Sequence, residues 1–237
     1  MQIDDEGFFL GSKKYGENSK IIQIFSKKNG IINGFVRQSK KNKISLINLD
    51  RIFFTWKSRD ADGLGYIIYD LKNISYSQDH NYILSLIKAS ASELCMKFLP
   101  SWENNEEIFD DLNNLLSKLK NNLELENISE YIFWEFNFLK NLGYGLDFNK
   151  CAVTGSNQNI SFLSPKSGNV VCYEVGVKYK ERLFNIPKFL IERISSKNCQ
   201  DYFDAFKIST YFLEKVLEKK LSKLIFRNQL LLKIKNL

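Results

Sequence analysis

Between Lys13 and Lys57 the chain carries eleven cations: Lys13, Lys14, Lys20, Lys27, Lys28, Arg37, Lys40, Lys41, Lys43, Arg51 and Lys57. Only Glu17 and Asp50 oppose them, a net charge of +9, and Phe, Tyr and Trp are interleaved. Cations neutralise phosphates and exposed rings stack on bases, so the chemistry indicated is binding of nucleic acid. The predicted contacts are these eleven side chains together with Arg59. Arg37, Lys40, Lys41 and Lys43 lead, because they cluster where long side chains can follow a sugar-phosphate backbone. Tyr15 and Trp56 are each read as a stacking platform or a core residue; Phe8, Phe25, Phe35 and Phe54 are assigned to the core. A solvated strand edge accounts for any single lysine equally well, since edges carry lysine to deter pairing. Eleven against two favours phosphate binding.

Residues for bond-breaking chemistry are sparse, and no catalytic residue is predicted. His80 is the only histidine, with no serine or cysteine motif to make a triad. Neither a GxxxxGK[ST] loop nor a GxGxxG fingerprint occurs. Glu106-Glu107 and Asp110-Asp111 open a helical pattern, where they suit the helix dipole. Cys95, Cys151, Cys172 and Cys199 are irregularly spaced without a CxxC pair, so four reduced thiols are expected in preference to disulfides or a four-cysteine zinc site. No cofactor is expected.

The elements that must position the cations are short apolar runs broken by Gly, Asn and Lys. Phe8–Leu10, Ile21–Phe25, Ile31–Val36, Ile52–Trp56 and Tyr66–Tyr69 read as five antiparallel strands. Five strands in so short a length fit a closed barrel of the oligonucleotide-binding (OB) type, which removes exposed edges. From about residue 80 the period becomes helical: a helix closed by Pro100, one over 104–121, one over 128–142 stopped by Gly143, and two over about 187–194 and 201–220. Residues 151–178 lack helical period and read as an irregular insertion. The expected class is α+β: an OB-type nucleic-acid-binding domain over residues 1–78, then an α-helical domain over 79–237 with its insertion at about 149–178.

Net charge is +7 over 237 residues. Its distribution is uneven: +4 over residues 1–80, −5 over 81–150, +2 over 151–205 and +6 over 206–237. A basic head and tail around an acidic middle fit a polyanionic partner. The tail after Lys215 reads first as an amphipathic helix docked on its own domain, and second as a nucleic-acid or partner contact. No run approaches the roughly 18–20 apolar residues of a membrane span, and MQIDDEG lacks a signal-peptide layout, so a cytoplasmic protein is expected.

Several segments resemble the bacterial recombination mediator RecO family. They are Gly7 with its strand, Lys14-Tyr15-Gly16-Glu17-Asn18-Ser19, Phe25-Ser26, Gly30, Gly34, Val36-Arg37, Thr55-Trp56-Lys57-Ser58-Arg59 and Leu64-Gly65. The similarity resumes at Cys151–Gly155, Ser164–Gly168 and Asn185–Leu190, in order and with an alphaproteobacterial character. The resemblance implies an OB barrel, a helical domain and an insertion that binds Zn²⁺ through four cysteines in many members. Here Thr154 and Val175 stand where the second cysteine of each pair would be, so a zinc-free insertion is expected. It further implies a non-enzymatic DNA repair and recombination protein, associated with the nucleoid. Such a protein binds single- and double-stranded DNA and anneals complementary strands. It assists RecA on DNA coated with single-strand-binding protein (SSB), whose acidic C-terminal tail it contacts, with RecR as partner. The readings that compete are an RNA-binding OB protein and a non-catalytic protein-interaction module.

Overall fold

The computed structural model describes residues 1–37, 46–59, 63–71, 81–121, 123–218 and 224–236. Lys40, Lys41, Lys43 and His80 lie outside them. Five strands form a closed barrel in the order β1-β2-β3-β5-β4. They are β1 (Gln2–Tyr15), β2 (Ser19–Ser26), β3 (Gly30–Arg37), β4 (Arg51–Lys57) and β5 (Gly65–Leu71). At 14 residues β1 is long enough to serve two neighbours. Its first half pairs with β4 and its second with β2, and a bulge between Phe9 and Gly11 turns it from one to the other.

All strand pairs are antiparallel except the closing one, β3 with β5, which is parallel and short. Its register pair is Gly34 with Gly65. A Cβ on Gly34 would lie 2.6 Å from Ile67, and one on Gly65 would lie 2.2 Å from the Trp56 ring. Two residues without side chains therefore let the barrel shut over a tryptophan. Inside are Phe9, Ile22, Ile24, Ile32, Ile52, Phe54, Trp56 and Ile67.

The chain divides into two compact units, Met1–Asp110 and Asp111–Leu237. The first takes in more than the barrel predicted over residues 1–78. It includes α1 (Tyr82–Phe98) and the start of α2 (Glu106–Lys118). Asn81 caps α1 by accepting from the N–H groups of Ile83 and Leu84. Trp102 lies edge-on to Trp56, with ring centroids 4.8 Å apart, and its N–H donates to Ile31 O at 3.2 Å. Phe109 packs on Phe8 and Phe25, at 4.7 and 5.4 Å. Phe8 and Phe25 are thus buried on the outside of the barrel wall, which explains why apolar residues occupy both strand faces there.

The second unit is built on α3 (Glu124–Asn141), α6 (Cys199–Leu217) and α7 (Ile225–Ile234). Two stretches differ from the sequence expectation. Helix α3 begins at Glu124, ahead of the predicted 128. The insertion holds a three-stranded sheet, β7-β6-β8, made of β6 (Ile160–Leu163), β7 (Val170–Cys172) and β8 (Phe184–Asn185). A one-turn α4 (Tyr173–Gly176) and a 3-10 turn (Val177–Arg182) lie within it, and α5 (Lys188–Glu192) follows. These strands, of two to four residues, are too short for alternation to reveal.

Arg227 anchors α7. Its guanidinium is buried and donates to Glu135 of α3 through Nε (3.0 Å) and Nη2 (2.8 Å). Further bonds reach Thr210 and Ser209 of α6, at 2.9 and 3.0 Å. The C-terminal helix is therefore docked on its own unit through its arginine, but it is not the amphipathic helix expected of the tail: Arg227 is buried while Ile225, Phe226 and Leu232 are exposed.

Candidate nucleic-acid interface

Strand register decides which predicted cations meet. Around the barrel one row runs Lys13, Ile21, Phe35, Tyr66, Lys57, Gln2. The adjacent row toward the hairpin tip holds Tyr15, Ser19 and Arg37. Side chains two apart on a strand share a face. These positions have the parity opposite to Ile22, Gly34, Trp56 and Ile67, so they stand on the outer face. Tyr15 and Phe35 contact with ring centroids 4.9 Å apart, and Phe35 is in register with Tyr66. Tyr15 is 56% and Tyr66 44% exposed, so both rings present area to a ligand. Lys13, Arg37 and Lys57 are exposed around this aromatic strip.

Lys14 and Lys20 are register partners of inward parity at the end of the barrel beyond Ile22, Lys14 exposed and Lys20 half-buried. Arg59 is exposed just beyond β4. Seven predicted contacts (Lys13, Lys14, Lys20, Arg37, Lys57, Arg59 and the ring of Tyr15) thus belong to one end of the barrel. Arg37 leads directly into the segment with Lys40, Lys41 and Lys43. The face is bounded by Asp4, whose carboxyl is held below its ordinary value by hydrogen bonds from Thr55 and Gln2 and by the charge of Lys57.

The remaining cations lie elsewhere. Between Lys20 and Lys27 the chain advances seven strand residues, about 23 Å. Lys27 and Lys28 line a groove of about 570 Å³ whose wall includes Asp4, Asp5, Glu6, Asp70 and Glu106. Lys27 Nζ is 3.9 Å from Glu106, and the backbone N–H of Lys28 donates to Asp5 at 3.0 Å, which places Lys28 in the same acidic groove. Arg51 pairs with Glu6 at 2.9 Å, its guanidinium over the rings of Phe8 and Phe109 at 5.8 and 5.9 Å. The structure brings these three to carboxylates rather than to the aromatic strip.

Of the two readings of Trp56 the structure selects the core: it is fully buried, donates from Nε1 to Asn33 O at 3.2 Å and presents no stacking face. Phe35, assigned to the core, stands on the outer face beside Tyr15. Tyr66 was not singled out by sequence; its place opposite Phe35 depends on the parallel closure of the barrel. Alternation along β5, with Gly65 and Ile67 inward, is the signal that marks it.

In the insertion, Cys151 and Cys172 are buried and Thr154 lies between them, its hydroxyl 3.8 Å from Cys172 Sγ. Desolvation raises the Cys151 thiol, but hydrogen bonds from the Thr154 hydroxyl and the N–H groups of Cys172, Thr154 and Val153 outweigh it and bring the thiol to about 6. Among the described residues no three His, Cys, Asp or Glu side chains approach closely enough to hold a metal ion. Two thiols and a hydroxyl do not make a tetrahedral zinc site. Among the same residues no helix is long and apolar enough to cross a membrane.

A closed five-stranded barrel with cations and uncovered rings on its outer face, joined to a helical unit, defines a protein of the OB-barrel class. Residues 1–72 match the family described as Recombination protein O N terminal, and residues 80–225 match Recombination protein O C terminal. The chain belongs to this family. It is 32% identical over 227 residues to the DNA repair protein RecO of Rickettsia bellii, covering 92% of this chain and 90% of the relative. It is 31% identical over 223 residues to that of Ehrlichia chaffeensis, covering 91% and 90%. To the protein of the same name from Wolbachia pipientis it is 29% identical over 227 residues, covering 92% of each.

Proposed function

We propose that this chain is a DNA repair and recombination mediator that binds single- and double-stranded DNA without making or breaking covalent bonds. It anneals complementary strands and assists RecA on SSB-coated DNA together with RecR, acting in the cytoplasm at the nucleoid. The observation that carries the reading is the outer strip Tyr15–Phe35–Tyr66 framed by Lys13, Arg37 and Lys57. Rings supply stacking that tolerates any base, and cations release the counterions condensed on phosphates. Lowering the repulsion between two polyanions is what pairing of strands requires. Lys14, Lys20 and Arg59 extend the surface, and Lys40, Lys41 and Lys43 complete it in this reading.

The test is the salt dependence of binding to a labelled single-stranded oligonucleotide, followed by fluorescence anisotropy. Each phosphate contact on a single strand contributes about 0.7 to the log–log slope. Joint replacement of Lys13, Arg37 and Lys57 by Ala should flatten that slope by about two. Joint replacement of Lys27 and Lys28 should leave it unchanged. The opposite result would move the interface to the acidic-walled groove. Tighter binding of a matched RNA oligomer than of DNA would favour an RNA-binding role instead.

A further inference from the structure

The second unit carries a basic, aromatic-lined cleft that the barrel reading does not use. Its volume is about 590 Å³, and its lining includes Lys166, Arg182, Lys215, Tyr179 and Tyr211. The three cations reach it from separate elements: the turn after β6, the end of the 3-10 turn, and α6. No acidic residue is among its described lining residues. Lys215 is held in place, its Nζ donating to Lys166 O at 3.2 Å and lying 5.9 Å from the centroid of the Phe212 ring. Tyr211 is braced edge-on by Phe184 and Phe212, at 5.4 and 5.3 Å, yet remains 39% exposed. Tyr179 is 58% exposed, and its neighbours Lys178 and Lys180 are exposed beside it.

We propose that this cleft is a second seat for single-stranded nucleic acid, separate from the barrel strip. The inference rests on the reading of the barrel as a DNA-binding face. Exposed phenol rings, that of Tyr211 braced by its neighbours, among converging cations are the combination that stacks bases and neutralises phosphates. An acidic peptide would also meet the cations, but it would need an apolar hole for its own side chains. Leu183 and Pro165 are the only aliphatic side chains among its described lining residues. Two seats on one chain let a bound strand be held while its complement is gathered, which raises the effective concentration of the pair.

The experiment uses the full chain and a short oligothymidylate, which cannot anneal to itself, to count strands per protein. A complementary labelled pair reports the annealing rate. The expected result is two strands per chain in the parent. One is lost in the variant Lys166→Ala, Arg182→Ala, Lys215→Ala, and annealing slows about tenfold or more as the second seat disappears. The other is lost in the barrel variant Lys13→Ala, Arg37→Ala, Lys57→Ala. Arg182→Glu, at an exposed position of the 3-10 turn, repeats the cleft test without disturbing the packing of Lys215. If the cleft variants still take two strands and anneal like the parent, this inference fails while the barrel reading stands. If the parent takes no strand, both fail. A cleft variant that loses only a labelled oligo-aspartate peptide ending in apolar residues, with strand count unchanged, overturns the seat in favour of a peptide site.

Discussion

Replacing Arg227 by Met asks whether the basic C-terminal helix is an internal strut or a phosphate contact. The substitution keeps an apolar stem of similar reach but removes every donor the guanidinium supplies. Glu135, 1% exposed, would then keep the hydroxyls of Tyr131, which donates at 2.8 Å, and Ser209, but no countercharge. Stranding one charge of a buried pair costs about 3–5 kcal/mol. In a unit of this size each kcal/mol lowers the melting midpoint by roughly 3–5 °C, so calorimetry should show a fall of about 10–20 °C. The pH dependence carries a sign. In the parent, desolvation pushes the Glu135 carboxyl up, but the charge and hydrogen bonds of Arg227, with those of Ser209 and Tyr131, hold it below its ordinary value. Its contribution is therefore present above the unfolded value of about 4.3 and fades as pH falls through the lower, folded one. In the variant desolvation prevails and the carboxyl rises, so the deficit should shrink as pH falls from 7 toward 5. Adding Glu135→Gln should recover part of the loss at pH 7. A variant that melts within about 2 °C of the parent and binds DNA weakly would refute the strut and make Arg227 a phosphate contact.

The remaining predictions concern closure and metal. Gly65→Ala places a methyl 2.2 Å from the Trp56 ring, which is itself held by Asn33 O and Trp102. Overpacking against so fixed a group should cost about 3 kcal/mol or more, read as a lower urea midpoint at unchanged slope. Purified protein should contain no stoichiometric zinc, and a chelator should leave the melting midpoint where it was; one tightly held equivalent per chain would require ligands beyond Cys151 and Cys172.

The strands were legible because Gly, Asn and Lys punctuate apolar runs, and the helices because their period is 3.6. What the sequence could not show is which side of a strand faces inward. Phe8-Phe9 is apolar at both parities, since Phe109 of α2 covers Phe8 from outside while Phe9 faces inward, and without clean alternation the outward place of Phe35 does not show. Counting cations also overlooked their partners. Arg51 meets Glu6 across 45 residues, Lys27 meets Glu106, and Arg227 meets Glu135 across 92. No local pattern records such pairs. The spacing of Gly34 and Leu64-Gly65 acquires a reason only in the parallel closure, where two backbones approach at the positions that carry no side chain.

The boundary expected after residue 78 bears directly on how the barrel can be studied, and a fragment ending there should not fold. Trp102 and Phe109 lie beyond it, yet they pack on Trp56, Phe8 and Phe25. Gly30 sits so close to Glu103 that a Cβ would fall 1.9 Å from its carbonyl oxygen. Phe109 is buried and Trp102 partly buried. Burying a large apolar side chain contributes about 1.5–3 kcal/mol, so the two together contribute about 3–5 kcal/mol. That is comparable with the lower end of the net stability of an ordinary domain, about 5–15 kcal/mol, before counting the barrel wall left bare. The chain cut after residue 78 should therefore show no cooperative melt and should bind a hydrophobic dye. A chain cut after Lys120, which keeps α2 whole, should melt cooperatively. Native near-ultraviolet dichroism and a sharp transition from residues 1–78 alone would mean that the inner cluster around Ile24, Ile52 and Ile67 suffices. Helix α1 and the start of α2 would then be appended to the barrel rather than part of what holds it closed.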